Sequence, residues 1–209
     1  MSENYTYKPL PRDFYLRNTL DVAKELLGKI LVLKKGKTIL SGKIVETEAY
    51  IGDHDPACHA YQKYTGRSKT LYNIGGTVYV YFIYGNYYCF NIVTEEKGIG
   101  AAVLIRALEP VRGIRTMTLN RKKAKTIFDL TNGPSKLCMA FGIDSDFNNG
   151  DITKKILFVS EPESINSFQI CKSKRIGLNA GKDFLYRFFI KDNPFVSKHK
   201  LNKEGILIK

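Results

Sequence analysis

Glu46, Glu48 and Tyr50 alternate within Lys43–Tyr50, KIVETEAY. In an extended chain successive side chains point to opposite faces, so these three share one face while Val45, Thr47 and Ala49 take the other. A carboxylate two residues from an aromatic ring sets a general base beside a stacking surface. Two carboxylates this close on one strand do not flank a scissile bond as a glycoside-hydrolysing acid–base pair must, so Glu46 reads as a residue that pairs with a lysine or supports Glu48. Downstream, Arg106 interrupts the apolar run Ala101–Pro110, AAVLIRALEP. A guanidinium in such a run is costly to bury alone, so Arg106 is expected to meet a carboxylate, an anion or water.

A second cluster lies between these segments. Gly76–Thr94, GTVYVYFIYGNYYCFNIVT, carries Tyr79, Tyr81, Tyr84, Tyr87 and Tyr88, with Tyr72 just upstream. Val78–Ile83 and Tyr87–Val93 are rich in β-branched and aromatic residues, and Gly85-Asn86 between them is turn chemistry, so a β-hairpin is expected. Planar rings near a hairpin tip can wedge into a base stack or form a platform for a flipped base. Taken alone, the segment is as well explained by ordinary core tyrosines.

The elements that must hold these residues follow from pattern and punctuation. Asn18 or Thr19 caps a helix through Leu27 that Gly28 ends. Strands are expected over Lys29–Leu33, Thr38–Tyr50, Ala101–Leu108, Ile156–Ser160, Arg175–Leu178 and Phe184–Ile190. Pro110 is expected to open a helix to about Arg121, and Asn132-Gly-Pro-Ser135 precedes a short helix, Lys136–Phe141. Ile51–Gly75 is a polar loop long enough to suggest function. The pattern gives an α+β fold, a single domain over residues 13–209 built on a curved, mainly antiparallel sheet flanked by helices, with a protruding Tyr-rich hairpin and a flexible arm over residues 1–12.

Several motifs occur in one order: Val45-Glu-Thr-Glu-Ala-Tyr50, Ala57–Ala60 with His59, Tyr79-Val-Tyr81-x-x-Tyr84-Gly, Cys89-x-Asn91, Leu104-x-Arg106-Ala-Leu-Glu-Pro110 and Gly133-Pro-Ser-Lys-Leu137. Together they closely resemble the 3-methyladenine DNA glycosylase family of the alkyladenine type, from about Phe14 to Asn193-Pro-Phe-Val-Ser197. The resemblance implies a monofunctional enzyme that flips an alkylated purine out of double-stranded DNA and hydrolyses its N-glycosidic bond. It implies Glu48 as the base that deprotonates a water and Arg106 as the group holding that water or the carboxylate. Tyr50 and His59 would stack on one face of the purine and Tyr81 on the other. Asn91 would disfavour an exocyclic 2-amino group, the Ile176 carbonyl would contact the water, and Tyr84 would fill the vacated place in the duplex. The chain departs from the family at Thr65-Gly-Arg67-Ser68, where many members carry Thr-Pro-Arg-Asn, and at Asn86, where methionine is common.

Composition agrees with a polyanionic partner. The chain of 209 residues has a formal net charge of +13, which suits nucleic acid. Lysine far outnumbers arginine, as an AT-rich genome would also produce, so charge supports the reading without making it. Arg121–Lys125, Lys154-Lys155, Lys172–Arg175 and Lys198–Lys203 are candidate phosphate contacts. No apolar run approaches a bilayer span and no signal-like leader is seen, so a soluble, cytoplasmic monomer is expected. Cys58, Cys89, Cys138 and Cys171 form no Cys-x-x-Cys pair and read as reduced, buried thiols. His54, Cys58 and His59 are poorly spaced for one ion, and no nucleotide fingerprint is present, so no metal or cofactor is expected. The competing readings are a non-catalytic RNA- or tRNA-binding module with the same basic surface, and an O-glycoside hydrolase using Glu46 and Glu48.

Overall fold

Alternation along the strands sorts the chain onto two faces of one sheet. The computed structural model describes residues 6–62, 64, 66–83, 85–164 and 167–208. Among these, β1 (Ile30–Lys35), β2 (Thr38–Ile51), β3 (Val78–Ile83), β4 (Tyr87–Thr94), β5 (Ala101–Arg112), β6 (Leu157–Ser160), β7 (Ile170–Ser173), β8 (Arg187–Ile190) and β9 (Ile206–Leu207) form one open sheet. Its order is β3-β4-β5-β2-β8-β7-β9, with β1 on β2 and β6 on β1, and every strand pair is antiparallel. The first half of β2 pairs with β1 and the second half with β8, while β5 runs along its other side.

Val78 and Val80 of β3, Phe90 and Ile92 of β4, Val103 and Ile105 of β5 and Val45 and Ala49 of β2 enter the main hydrophobic core. Helices α1 (Thr19–Glu25), α2 (Ile114–Asn120) and α3 (Pro134–Phe141) cover that core through Val22, Ala23, Met117, Leu137 and Phe141. The intervening residues Tyr79, Val93 and Ala102 face the other way, in a smaller cluster with Cys58, Ala60 and Leu71, against which Tyr50, Tyr72 and Tyr81 pack. The fold is thus a single α+β domain with its helices on one face of an antiparallel sheet.

A β-bulge in β2 creates this division. The β2–β5 register steps from Ile44↔Leu108 to Glu46↔Ala107, leaving Val45 as an extra residue. An inserted residue reverses the parity of everything after it. Ile44 therefore faces the core before the bulge and Val45 and Ala49 face it afterwards, which frees the even positions 46, 48 and 50 for polar work.

Three expectations need correction. Pro110 does not open a helix: β5 continues through it to Arg112, and α2 starts at Ile114. Pro110 sits opposite Gly42 at a register shift, where a missing N–H interrupts no regular ladder, and Gly113, at φ 80°, makes the turn. Residues 175–178 are not a strand; the strand is β7, just upstream. The N-terminal segment is not loose from Tyr7 onward: Tyr7 and Leu10 are buried, the Leu10 N–H donates to the Val159 carbonyl, and Arg12 pairs with Asp151 at 2.7 Å. β3 and β4 pair antiparallel from Val78↔Ile92 to Ile83↔Tyr87; Tyr84, expected near the hairpin tip, lies outside the described residues.

Candidate active site

Backbone pairing alone sets out a row across the sheet. Tyr79 pairs with Asn91, Asn91 with Leu104, Leu104 with Glu48, Glu48 with Arg187 and Arg187 with Ser173. Directly paired residues of an antiparallel sheet point to the same face, and so do residues two positions along a strand. The row therefore gathers Tyr81 beside Tyr79, Arg106 beside Leu104, and Glu46 and Tyr50 beside Glu48.

Glu48 is fully buried. Its Oε1 accepts from the Ile176 N–H at 2.8 Å, and its Oε2 accepts from the Tyr50 hydroxyl at 2.8 Å and lies 3.3 Å from Arg106 Nη1. A carboxylate has about four acceptor positions, so two hydrogen bonds and one ion pair leave room for a further donor. Burial, then the Glu48 charge, holds the Tyr50 phenol well above its usual range, so Tyr50 stays a donor. Burial alone would lower the Arg106 guanidinium, but Glu48 and Glu46 overcome it and hold Arg106 charged.

Among the described residues Glu46 pairs with no lysine; of its two expected roles, support of Glu48 is the one its contacts fit. Its Oε1 accepts from Arg106 Nε at 2.9 Å and Arg187 Nε at 2.7 Å. Ser197 adds its hydroxyl to Oε1 at 2.8 Å and its N–H to Oε2 at 2.9 Å. Lysine offers a single point charge, whereas two guanidinium groups can approach one carboxylate edge-on and keep donors for other partners. Arg187 uses those donors on Ser173 Oγ at 2.9 Å and Asn202 Oδ1 at 2.7 Å. Glu46 thus fixes Arg106, and Arg106 reaches Glu48.

Beside this cluster Tyr50, His59, Tyr81 and Asn91 line one small pocket, together with Cys58, Tyr79 and Leu178 among others. His59 Nδ1 is 2.9 Å from the Tyr79 hydroxyl, and its ring meets Tyr81 edge-on with centroids 4.6 Å apart. Burial, then Cys89, holds the Tyr81 phenol well above its usual range. Asn91 Nδ2 donates to the Tyr79 carbonyl at 3.1 Å, which fixes the amide in the pocket wall. Ile176 presents its N–H to Glu48.

The sequence reading missed Arg187, Ser197 and Asp55, and it took Arg175 for a phosphate contact. Arg175 is instead buried against Asp55. Arg187 carries the signal that found Arg106, an arginine between apolar neighbours in Phe184–Ile190. The partner of Arg175 lies 120 residues away, and no local pattern announces it. Among the described residues no group of three His, Cys, Asp or Glu side chains could hold a metal ion.

The antiparallel sheet of this α+β domain thus sets a buried carboxylate–guanidinium cluster beside an aromatic-walled pocket. The chain belongs to the methylpurine-DNA glycosylase family, whose model matches residues 13–194. It is 51% identical over 203 residues to a protein of Clostridium perfringens (strain SM101), covering 90% of this chain and 98% of that one. It is 52% identical over 183 residues to one of Francisella tularensis subsp. tularensis (strain WY96-3418), covering 86% and 94%. It is 47% identical over 194 residues to one of Legionella pneumophila (strain Corby), covering 91% and 99%. All three relatives are provisionally named 3-methyladenine DNA glycosylase.

Proposed function

We propose that the chain is a monofunctional DNA glycosylase that extrudes alkylated purines such as 3-methyladenine from double-stranded DNA and hydrolyses their N-glycosidic bond with a water activated by Glu48. The observation that carries this reading is Glu48 itself: fully buried, held by Tyr50, Arg106 and Ile176, and next to a pocket walled by Tyr50, His59 and Tyr81. The remaining acceptor position of its carboxylate takes the O–H of a water, the water oxygen attacks C1′, and the proton passes to Glu48. An alkylated purine already carries positive charge, so it departs neutral and needs little help in leaving.

The base must leave the stack before any of this can happen. Tyr84 occupies the vacated place from the minor groove. The purine enters by parting Tyr81 from the Tyr50–His59 wall, since the Tyr81 and His59 rings meet with centroids 4.6 Å apart; aromatic faces there favour a cation, and Asn91 excludes an exocyclic 2-amino group. Arg106, 3.3 Å from Glu48 Oε2, orients the carboxylate. No lysine is among the described residues that line the pocket, which supports a water nucleophile rather than a Schiff base and hence a reaction that leaves the strand intact.

The test is a panel of duplexes, each with one defined lesion, assayed for base release and for strand breaks without alkali. Glu48→Gln should lose roughly 10²- to 10⁴-fold in single-turnover rate, with abasic but unbroken product from the unsubstituted protein. Equal rates would remove Glu48 from the chemistry. No release by either protein, with tight RNA binding, would turn the assignment to a nucleic-acid-binding module.

A further inference from the structure

We propose that Arg175 and Asp55 form a positioning pair, locking the two loops that cover the base pocket onto the strand that carries Glu48 and Tyr50. The inference rests on the glycosylase reading above and adds two residues to it. Both side chains are fully buried. One guanidinium reaches three segments at once. Nη1 donates to Asp55 Oδ2 and, at 2.8 Å, to the carbonyl of Ala49, the β2 residue between Glu48 and Tyr50. Nη2 donates to Asp55 Oδ1 at 2.6 Å and to the Gly181 carbonyl at 3.2 Å. Asp55 in turn accepts from the Ala57 N–H at 3.0 Å, fixing the turn that leads to Cys58 and His59 in the pocket wall.

The consequences for the site are direct. The residue after Arg175 gives Glu48 its backbone donor, and Leu178 in the same loop lines the pocket. The guanidinium carbon lies 4.6 Å from the Tyr50 ring centroid, so the ring whose hydroxyl holds Glu48 is braced from behind by a cation. Gly181 is shaped to the pair: a Cβ there would stand 2.8 Å from Asp55 Oδ1 and 3.0 Å from Arg175 Nη2. A buried ion pair is a poor device for stability alone, since apolar residues of similar shape hold loops as well. What the planar fork supplies is fixed geometry toward several acceptors, which a lysine cannot reproduce.

The experiment compares Arg175→Lys and Gly181→Ala with the unsubstituted protein, alone and combined with Glu48→Gln. Single-turnover base release is measured with enzyme saturating, alongside affinity for an abasic-site duplex and the thermal melt. Arg175→Lys keeps the charge and loses the fork. It should retain a cooperative melt and abasic-site affinity yet lose on the order of 100-fold in single-turnover rate, the scale of an ångström misplacement of reacting groups. Gly181→Ala should move the same way by less. In the Glu48→Gln background Arg175→Lys should add little, because the carboxylate it positions is already gone. A folded Arg175→Lys with full rate overturns the inference, as does an undiminished loss in the Glu48→Gln background or a loss confined to DNA affinity. If Arg175→Lys does not fold, a full rate in Gly181→Ala overturns it. An unsubstituted protein that releases no base sinks the glycosylase reading and this inference together, whereas an active one with unaffected variants sinks this inference alone.

Discussion

Glu46 touches no solvent and accepts from two arginines and from Ser197 twice. Burial pushes its carboxyl up, but Arg106, Arg187 and the Ser197 donors pull harder, so it lies below its ordinary value of 4.5. A depressed folded value contributes stability that is present above the unfolded value and lost as pH falls through the folded one. Glu46→Gln takes the carboxylate from buried Arg187 and leaves Arg106 with Glu48 alone, and it should lower unfolding free energy by about 3–5 kcal/mol at neutral pH. In urea titrations the gap between the two proteins should close as pH drops below 4.5; a gap independent of pH would show that the charge contributes nothing. At this scale the sequence was half legible. A lone arginine in an apolar strand announced that Arg106 needs a carboxylate, and alternation put Glu48 on the right face. That Glu46 would take two arginines was hidden, because Arg187 approaches from a strand whose pairing with β2 only the folded sheet establishes, and Ser197 follows beyond that strand.

Among the elements, those whose own pattern decides their structure were readable. β2, β3 and β4 are rich enough in β-branched and aromatic residues that packing and propensity agree. Two segments misled for opposite reasons. Pro110 looked like a helix start because a register shift can absorb its missing N–H, and that shift depends on β2. Residues 175–178 alternate like a strand, yet Asp55 and Glu48 draw their polar groups out of any ladder. The turn that truly ends β5 is Gly113, whose φ is 80° and whose added Cβ would stand 2.3 Å from Leu40 Cδ2 and 2.8 Å from the Ile39 carbonyl. Gly113→Ala combines a left-handed backbone with a clash on main chain, so it should destabilise by more than about 1 kcal/mol. A thermal melt unchanged from the parent would refute that account of the turn.

For the molecule as a whole, the charge of +13 is carried largely by side chains that remain in solvent. Lys122, Lys123 and Lys125, Lys154 and Lys155, and Lys198, Lys200 and Lys203 are all exposed, unlike Arg106, Arg175 and Arg187, which are buried. The two sets differ in place: buried cations arrange carboxylates, and the exposed ones are the candidates for phosphate contact. The double substitution Lys122→Glu, Lys123→Glu should therefore weaken binding to damaged and undamaged duplexes alike. The slope of log affinity against log salt should become shallower by roughly 0.9 for each phosphate that is no longer neutralised. An unchanged affinity for undamaged duplex at low salt would place the DNA elsewhere. Among the described residues no helix is long and apolar enough to cross a membrane.

Residue 48 is paired through its backbone with Leu104 on one flank and Arg187 on the other. A strand gripped from both sides in the middle of a wide sheet has nowhere to go. The carboxylate is an anvil: under the glycosylase reading, the incoming nucleotide and the side chains of the pocket wall make any adjustment.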